Sequence, residues 1–99
     1  KGRKKLLINV GGFKVDPGEV EDLLSRHPDI AEAAVLGVTD GRGNERVKAV
    51  IVARRTMDVK EVIGYCRERI AEYKVPALVE FRRELPRSPT GKILRERLK

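Results

Sequence analysis

The chain has 99 residues, 40% hydrophobic and 37% charged, enough for one small domain with one hydrophobic core and not for two. Apolar runs such as Ala49–Ala53 fall far short of the roughly 20 residues a membrane-spanning helix needs, and the single cysteine, Cys66, excludes an internal disulfide or a cysteine zinc site. The formal charge of +7 is concentrated at the ends: Lys1, Arg3, Lys4 and Lys5 open the chain at +4, residues 82–99 sum to +5, and the stretch between is −2.

Basic ends suit an anionic partner, whether phosphate, nucleotide, nucleic acid or a membrane surface, and they equally suit solvated tails. Four positive charges in the first five residues, with no apolar stretch behind them, predict no signal peptide at Lys1. One lone thiol fits a reducing, cytoplasmic setting.

In chain order, Leu6–Asn9 and Phe13–Val15 are short β-prone runs around Gly11 and Gly12, the pattern of a small hairpin. A helix follows from about Pro17 to Arg26: Asp16 can cap it, Pro17 suits its first position, and Glu19 completes a capping box. Val20, Leu23 and Leu24 share one face of it. Ile30–Thr39 and Arg46–Arg55 read as two strands joined by a glycine-rich turn, and the run Val50-Ile51-Val52 predicts a strand partly covered on both faces. A second helix begins near Asp58, with Glu61 three residues on. Its apolar stripe (Val59, Val62, Ile63, Cys66, Ile70, Tyr73) runs on until Pro76 stops it. Leu78–Arg82 is a third strand candidate, Pro86–Gly91 a flexible loop, and Ile93–Leu98 a short basic helix. The order predicts an α+β domain: a small, mostly antiparallel sheet with an N-terminal β-hairpin, two main helices packed on it and a short C-terminal helix.

Single residues give few leads. Cys66 lies on an apolar stripe, the position of a small core residue. His27, the only histidine, sits at a helix end without a second His or Cys as co-ligand. Glu19, Glu21 and Asp22 occupy a first helical turn, where the helix dipole favours negative charge. Gly91-Lys92 has the tail of a phosphate-binding P-loop, but Pro86 stands where that motif needs its first glycine and Ile93 replaces Ser/Thr. What remains is Ser88-Pro89-Thr90-Gly91-Lys92, two hydroxyls and one cation able to meet a phosphate or carboxylate.

Longer stretches are more specific. Gly2-Arg3-Lys4-Lys5 with Ile8, Gly11-Gly12, Val15, Pro17 and Glu19-Val20-Glu21 resembles the segment that opens the small C-terminal domain of adenylate-forming enzymes: acyl-CoA and aryl-CoA synthetases, luciferases and peptide-synthetase adenylation domains. His27-Pro28 through Glu32-Ala33-Ala34-Val35, then Tyr73-Lys74-Val75-Pro76, then Leu85-Pro86-Arg87-Ser88-Pro89-Thr90-Gly91-Lys92-Ile93 continue the likeness in order across essentially the whole chain. The Gly-Gly variant with Pro17 and Glu19 is most similar to the acyl-CoA synthetases.

The resemblance implies a two-step ligase. A carboxylic acid and Mg-ATP give an acyl-adenylate and pyrophosphate; the thiol of coenzyme A then displaces AMP. It implies that residues 1–99 are a single lid domain beginning at a hinge, used in two orientations against the ligase's own N-terminal adenylation domain, which holds most of the ATP, Mg and acid site. Lys92 matches the adenylation lysine and Lys5 the hinge, where many relatives have Asp and others Lys. Arg3 matches the arginine near the nucleotide ribose, and Gly11 and Gly12 the turn lining the coenzyme A path. Lys14 and Arg67 fall where some coenzyme A ligases place phosphate-contacting arginines, Lys14 on the nucleotide side and Arg67 facing coenzyme A. The isolated domain is expected to be inactive, and the acid, fatty or aryl, is not legible.

Two rivals remain. A nucleic-acid-binding module fits the basic ends, but Phe13, Tyr65, Tyr73 and Phe81 form no recognisable stacking platform and no RNP-type motif occurs. The other is a regulatory or interaction subunit that completes a ligase in trans.

Overall fold

A computed structural model describes residues 7–39 and 41–98. Strands β1 (Ile8–Val10) and β2 (Phe13–Val15) form an antiparallel hairpin that is a two-stranded sheet of its own, with Val10 opposite Phe13. Helix α1 (Pro17–Ser25) follows at once: the Asp16 carboxylate accepts from the Gly18 amide at 2.9 Å, and Pro17 opens the first turn. Glu19 is drawn to a distant partner, Lys74, 2.9 Å away.

The long strands β3 (Ile30–Thr39) and β4 (Glu45–Ala53) pair antiparallel, with a register shift between Ile30 and Glu32. Helix α2 (Val59–Arg67) then crosses over to β5 (Leu78–Phe81), which lies parallel to β4, as a strand returning through a crossover helix does. The α+β class therefore holds, in the form of a hairpin and a mixed three-stranded sheet ordered β3-β4-β5.

Alternation along β3 and β4 divides the apolar residues between two faces. Ala33, Val35, Val47, Ala49 and Ile51 join Ile8, Val15, Val20, Leu24, Val62 and Cys66 in a core under the hairpin and helices. Ala34, Leu36 and Val50 point the other way and join Leu85 and Leu98. The sheet is thus covered on both faces, as Val50-Ile51-Val52 implied, and its second cover is the C-terminal segment. That segment ends in a short 3-10 turn, Arg95–Leu98, in place of the expected helix. Lys48 fastens it: Nζ donates to the Leu98 carbonyl and pairs with Glu80, both at 2.9 Å.

Helix α2 stops at Arg67, well before Pro76. The Arg69 and Ile70 amides both turn back to the Cys66 carbonyl, Ala71 is extended, and Glu72–Lys74 makes a separate 3-10 turn. Packing decides this: Tyr73 stacks on Phe13 of the hairpin with ring centroids 4.4 Å apart, while Ile70 still packs against the core. Arg55 closes the other end of α2, bonding Asp29 at 2.9 Å and Glu61 at 2.7 Å.

Candidate functional site

The loop carrying Lys92 is built over the second face of the sheet. Arg87 and Ile93 form an isolated antiparallel bridge, and the Ser88 amide donates to the Lys92 carbonyl at 2.8 Å. Inside the loop, the Ser88 hydroxyl accepts from the Thr90 and Lys92 amides, each at 3.3 Å, and lies 2.8 Å from the Thr90 hydroxyl. Gly91 turns the chain with φ +90°, a conformation that excludes side chains more by strain than by crowding, since a Cβ there would meet nothing within 4 Å.

The Arg87 guanidinium joins the loop to the sheet. Nη1 donates to the Gly91 carbonyl at 2.9 Å and Nη2 to Glu32 of β3 at 2.7 Å. The flexible loop expected from its composition is therefore a pinned one. Lys92 is exposed at its end, and its ammonium makes no hydrogen bond or ion pair among the described residues. It is a cation left available on a fixed backbone.

The hairpin occupies the other side of the sheet. Gly11 and Gly12 have φ of +56° and +96°, the mirror-image two-residue turn that matches strand twist, and Asn9 steadies it by accepting from the Gly12 amide at 3.1 Å. Both glycines are exposed, and a Cβ at either meets nothing within 4 Å. Glu45 ties the hairpin to β4, accepting from the Asn9 amide at 2.9 Å. Lys14 is exposed on β2, opposite Asn9 in register.

Arg67, at the end of α2, is engaged with Glu72 at 3.2 Å. With Val10, Arg46, Glu72, Tyr73 and Pro76 it lines a cleft of about 390 Å³ beside the hairpin. Arg67 and the Gly11–Gly12 turn thus belong to one side of the molecule. Lys92 belongs to the opposite one. Arg3 and Lys5, the nucleotide and hinge candidates, lie outside the described residues.

Three features escaped sequence reasoning. Phe13, 55% exposed, and Tyr73 do stack, so one aromatic pair exists where no platform was expected. Arg46 lines the cleft with Arg67. Arg87 and Glu32 are 55 residues apart in sequence, and no motif signals such a pair. Among the described residues no group of three or more His, Cys, Asp or Glu is placed to hold a metal ion, and no helix is long and apolar enough to cross a membrane. Cys66 is fully buried, and burial pushes its thiol up to about 11, the behaviour of a core residue.

Known proteins share this arrangement. The chain is 45% identical over 98 residues to the long-chain-fatty-acid–CoA ligase of Escherichia coli O6:H1, covering 98% of this chain and 18% of that protein. It is 46% identical over 97 residues to the indoleacetate–CoA ligase of Aromatoleum aromaticum, covering 96% of this chain and 19% of that one. Among solved structures, o-succinylbenzoate CoA synthetase of Bacillus subtilis, in complex with an acyl-adenylate intermediate, superposes with a TM-score of 0.87 at 40% identity, over 94% of this chain and 19% of that one. The chain spans about a fifth of the length of the relatives it matches. The family model described as AMP-binding enzyme C-terminal domain matches residues 19–92, from the first turn of α1 to the exposed lysine itself. This chain belongs to the AMP-binding enzyme C-terminal domain family.

Proposed function

We propose that this chain is the mobile C-terminal domain of an ATP-dependent, AMP-forming acid–CoA ligase, and that it serves the two half-reactions with its two opposite faces. The observation that carries the reading is the placement of Lys92: exposed, unpaired among the described residues, on a pinned loop across the sheet from the Gly11–Gly12 turn. One orientation offers Lys92 to the nucleotide site. The other offers the hairpin and Arg67. A turn about Lys5 exchanges them, and Arg3 beside it meets the nucleotide.

In adenylation the Nζ of Lys92 stands between the attacking carboxylate and the α-phosphate. It offsets their mutual repulsion and stabilises the charge that builds up in the transition state, an effect of roughly 10²–10³ in rate for one well-placed donor. In thioester formation the turn, free of side chains at Gly11 and Gly12, borders the pantetheine path, and Lys14 and Arg67 meet phosphates. Mg accompanies ATP in the larger N-terminal domain, and no residue of this chain is assigned to it. The acid is read as a fatty acid from the likeness to the fatty-acid–CoA ligase. The indoleacetate–CoA ligase matches as closely, because the acid's pocket lies in that larger domain and not in this one. A cytoplasmic location accords with the one unpaired thiol.

The reading predicts that the isolated chain folds, binds ATP weakly or not at all, and releases no pyrophosphate from ATP and a fatty acid. Submicromolar ATP binding measured by calorimetry would contradict it.

A further inference from the structure

We infer that Arg87 and Glu32 form a clamp that positions Lys92 for adenylation, an inference that rests on the role proposed above for Lys92. Lys92 owes its setting to its own loop, and that loop is held by few polar ties. The Ser88–Lys92 backbone bond and the Ser88 hydroxyl shape it internally. Neither connects it to the sheet.

Arg87 does both. One guanidinium nitrogen holds the Gly91 carbonyl, adjacent to Lys92, and another holds Glu32 on the face of β3 that the C-terminal segment covers. The planar fork of an arginine spans two acceptors with fixed geometry, which a lysine ammonium on a flexible stem does not reproduce. Glu32 sits just after the β3–β4 register shift, two residues before Ala34 of the second core, so the clamp is anchored to the paired sheet.

The side chains of the pair are 41% and 40% exposed, and surface pairs of this kind contribute little to stability. Its effect is therefore on position. A cation displaced by about an ångström from a transition state costs up to roughly 100-fold in rate. Its guanidinium is occupied by the Gly91 carbonyl and Glu32, so Arg87 acts through Lys92.

The test uses the intact ligase that carries this chain, with pyrophosphate release reporting adenylation and thioester formation measured from supplied acyl-adenylate. Arg87→Ala is expected to lower kcat for adenylation by roughly 10- to 100-fold with little change in KM for ATP. Thioester formation should stay within about twofold, and so isolate the first half-reaction. Glu32→Ala should do the same, and Arg87→Lys should recover only part of the loss. In a Lys92→Ala background, Arg87→Ala should cost nothing further, because the lysine through which it acts is gone. A fold defect would multiply the two losses and would lower both half-reactions; either result overturns the clamp. Wild-type adenylation by Arg87→Ala, with Lys92→Ala impaired, overturns the clamp and leaves the role of Lys92 standing. Unimpaired adenylation by Lys92→Ala overturns both.

Discussion

Leu98→Ala tests whether the C-terminal segment is a structural cover for the second face of the sheet. Leu98 is fully buried and packs with Ala34, Leu36, Val50 and Leu85. Removing a buried leucine side chain costs about 2–5 kcal/mol, depending on how far the surroundings collapse into the space. This cluster is small, with five buried members, so the expected loss is at the lower end, about 2–3 kcal/mol. For a domain of this length that corresponds to a fall in Tm of roughly 10–20 °C. Leu24→Ala, in the larger core under the helices, should cost more, about 3–5 kcal/mol. Leu78→Ala, at a side chain already 40% exposed, should cost less than about 1 kcal/mol. Thermal and urea unfolding of the isolated chain followed by circular dichroism would rank the three. A Leu98→Ala protein that melts within about 3 °C of the parent would refute the reasoning, because a buried leucine cannot be removed so cheaply from a packed face.

The remaining predictions concern local strain, acid and the thiol. Gly12→Ala, at φ +96°, should destabilise by about 1–2 kcal/mol in urea unfolding, although its side chain would meet no atom within 4 Å. The Arg55 guanidinium and the Asp58 amide hold the Glu61 carboxyl down to about 2, against an ordinary value of 4.5. A depressed carboxyl contributes stability that is complete above about 4.5 and is lost as pH falls through the folded value. Glu61→Gln should therefore lower stability slightly at neutral pH, where that contribution is complete, and converge on the parent in acid, flattening that part of the acid-unfolding profile. Cys66, fully buried with its thiol at about 11, should resist a soluble thiol reagent at pH 8 and react fully only in denaturant. Rapid labelling of the folded chain would contradict the packing of α2.

Much of the fold was legible because local rules and tertiary packing agree. Asp16 with Pro17, and Asp58 with Glu61, mark real helix starts, and the Glu61 carboxylate does accept from the Asp58 amide at 3.0 Å. Val50-Ile51-Val52 announced a strand partly covered on both faces, but nothing local to it says that Leu85 and Leu98, on either side of the Pro86–Gly91 loop, cover the second face. The end of α2 was not legible because Ile70 and Tyr73 keep the helical period after the helix has stopped. Their apolar character serves packing against the core and the Phe13 ring. The parallel setting of β5 follows from the crossover and not from any residue within Leu78–Phe81. For the site, Lys92 and the paired glycines were visible through resemblance in register. The opposite-face arrangement was not, because it depends on which side of β3 and β4 each distant segment covers. Arg87 and Glu32 meet only in the folded chain.

The most direct measurement is the effect of Lys92→Ala on the two half-reactions of the intact ligase, with pyrophosphate release and thioester formation from supplied acyl-adenylate followed separately. Adenylation is expected to fall by roughly 10²–10³ while thioester formation stays within about twofold. Lys92 lies on one face of the sheet and the Gly11–Gly12 turn, proposed to face coenzyme A, on the other, so the two steps should part company. Equal losses in both steps would contradict the claim that this domain serves them with opposite faces.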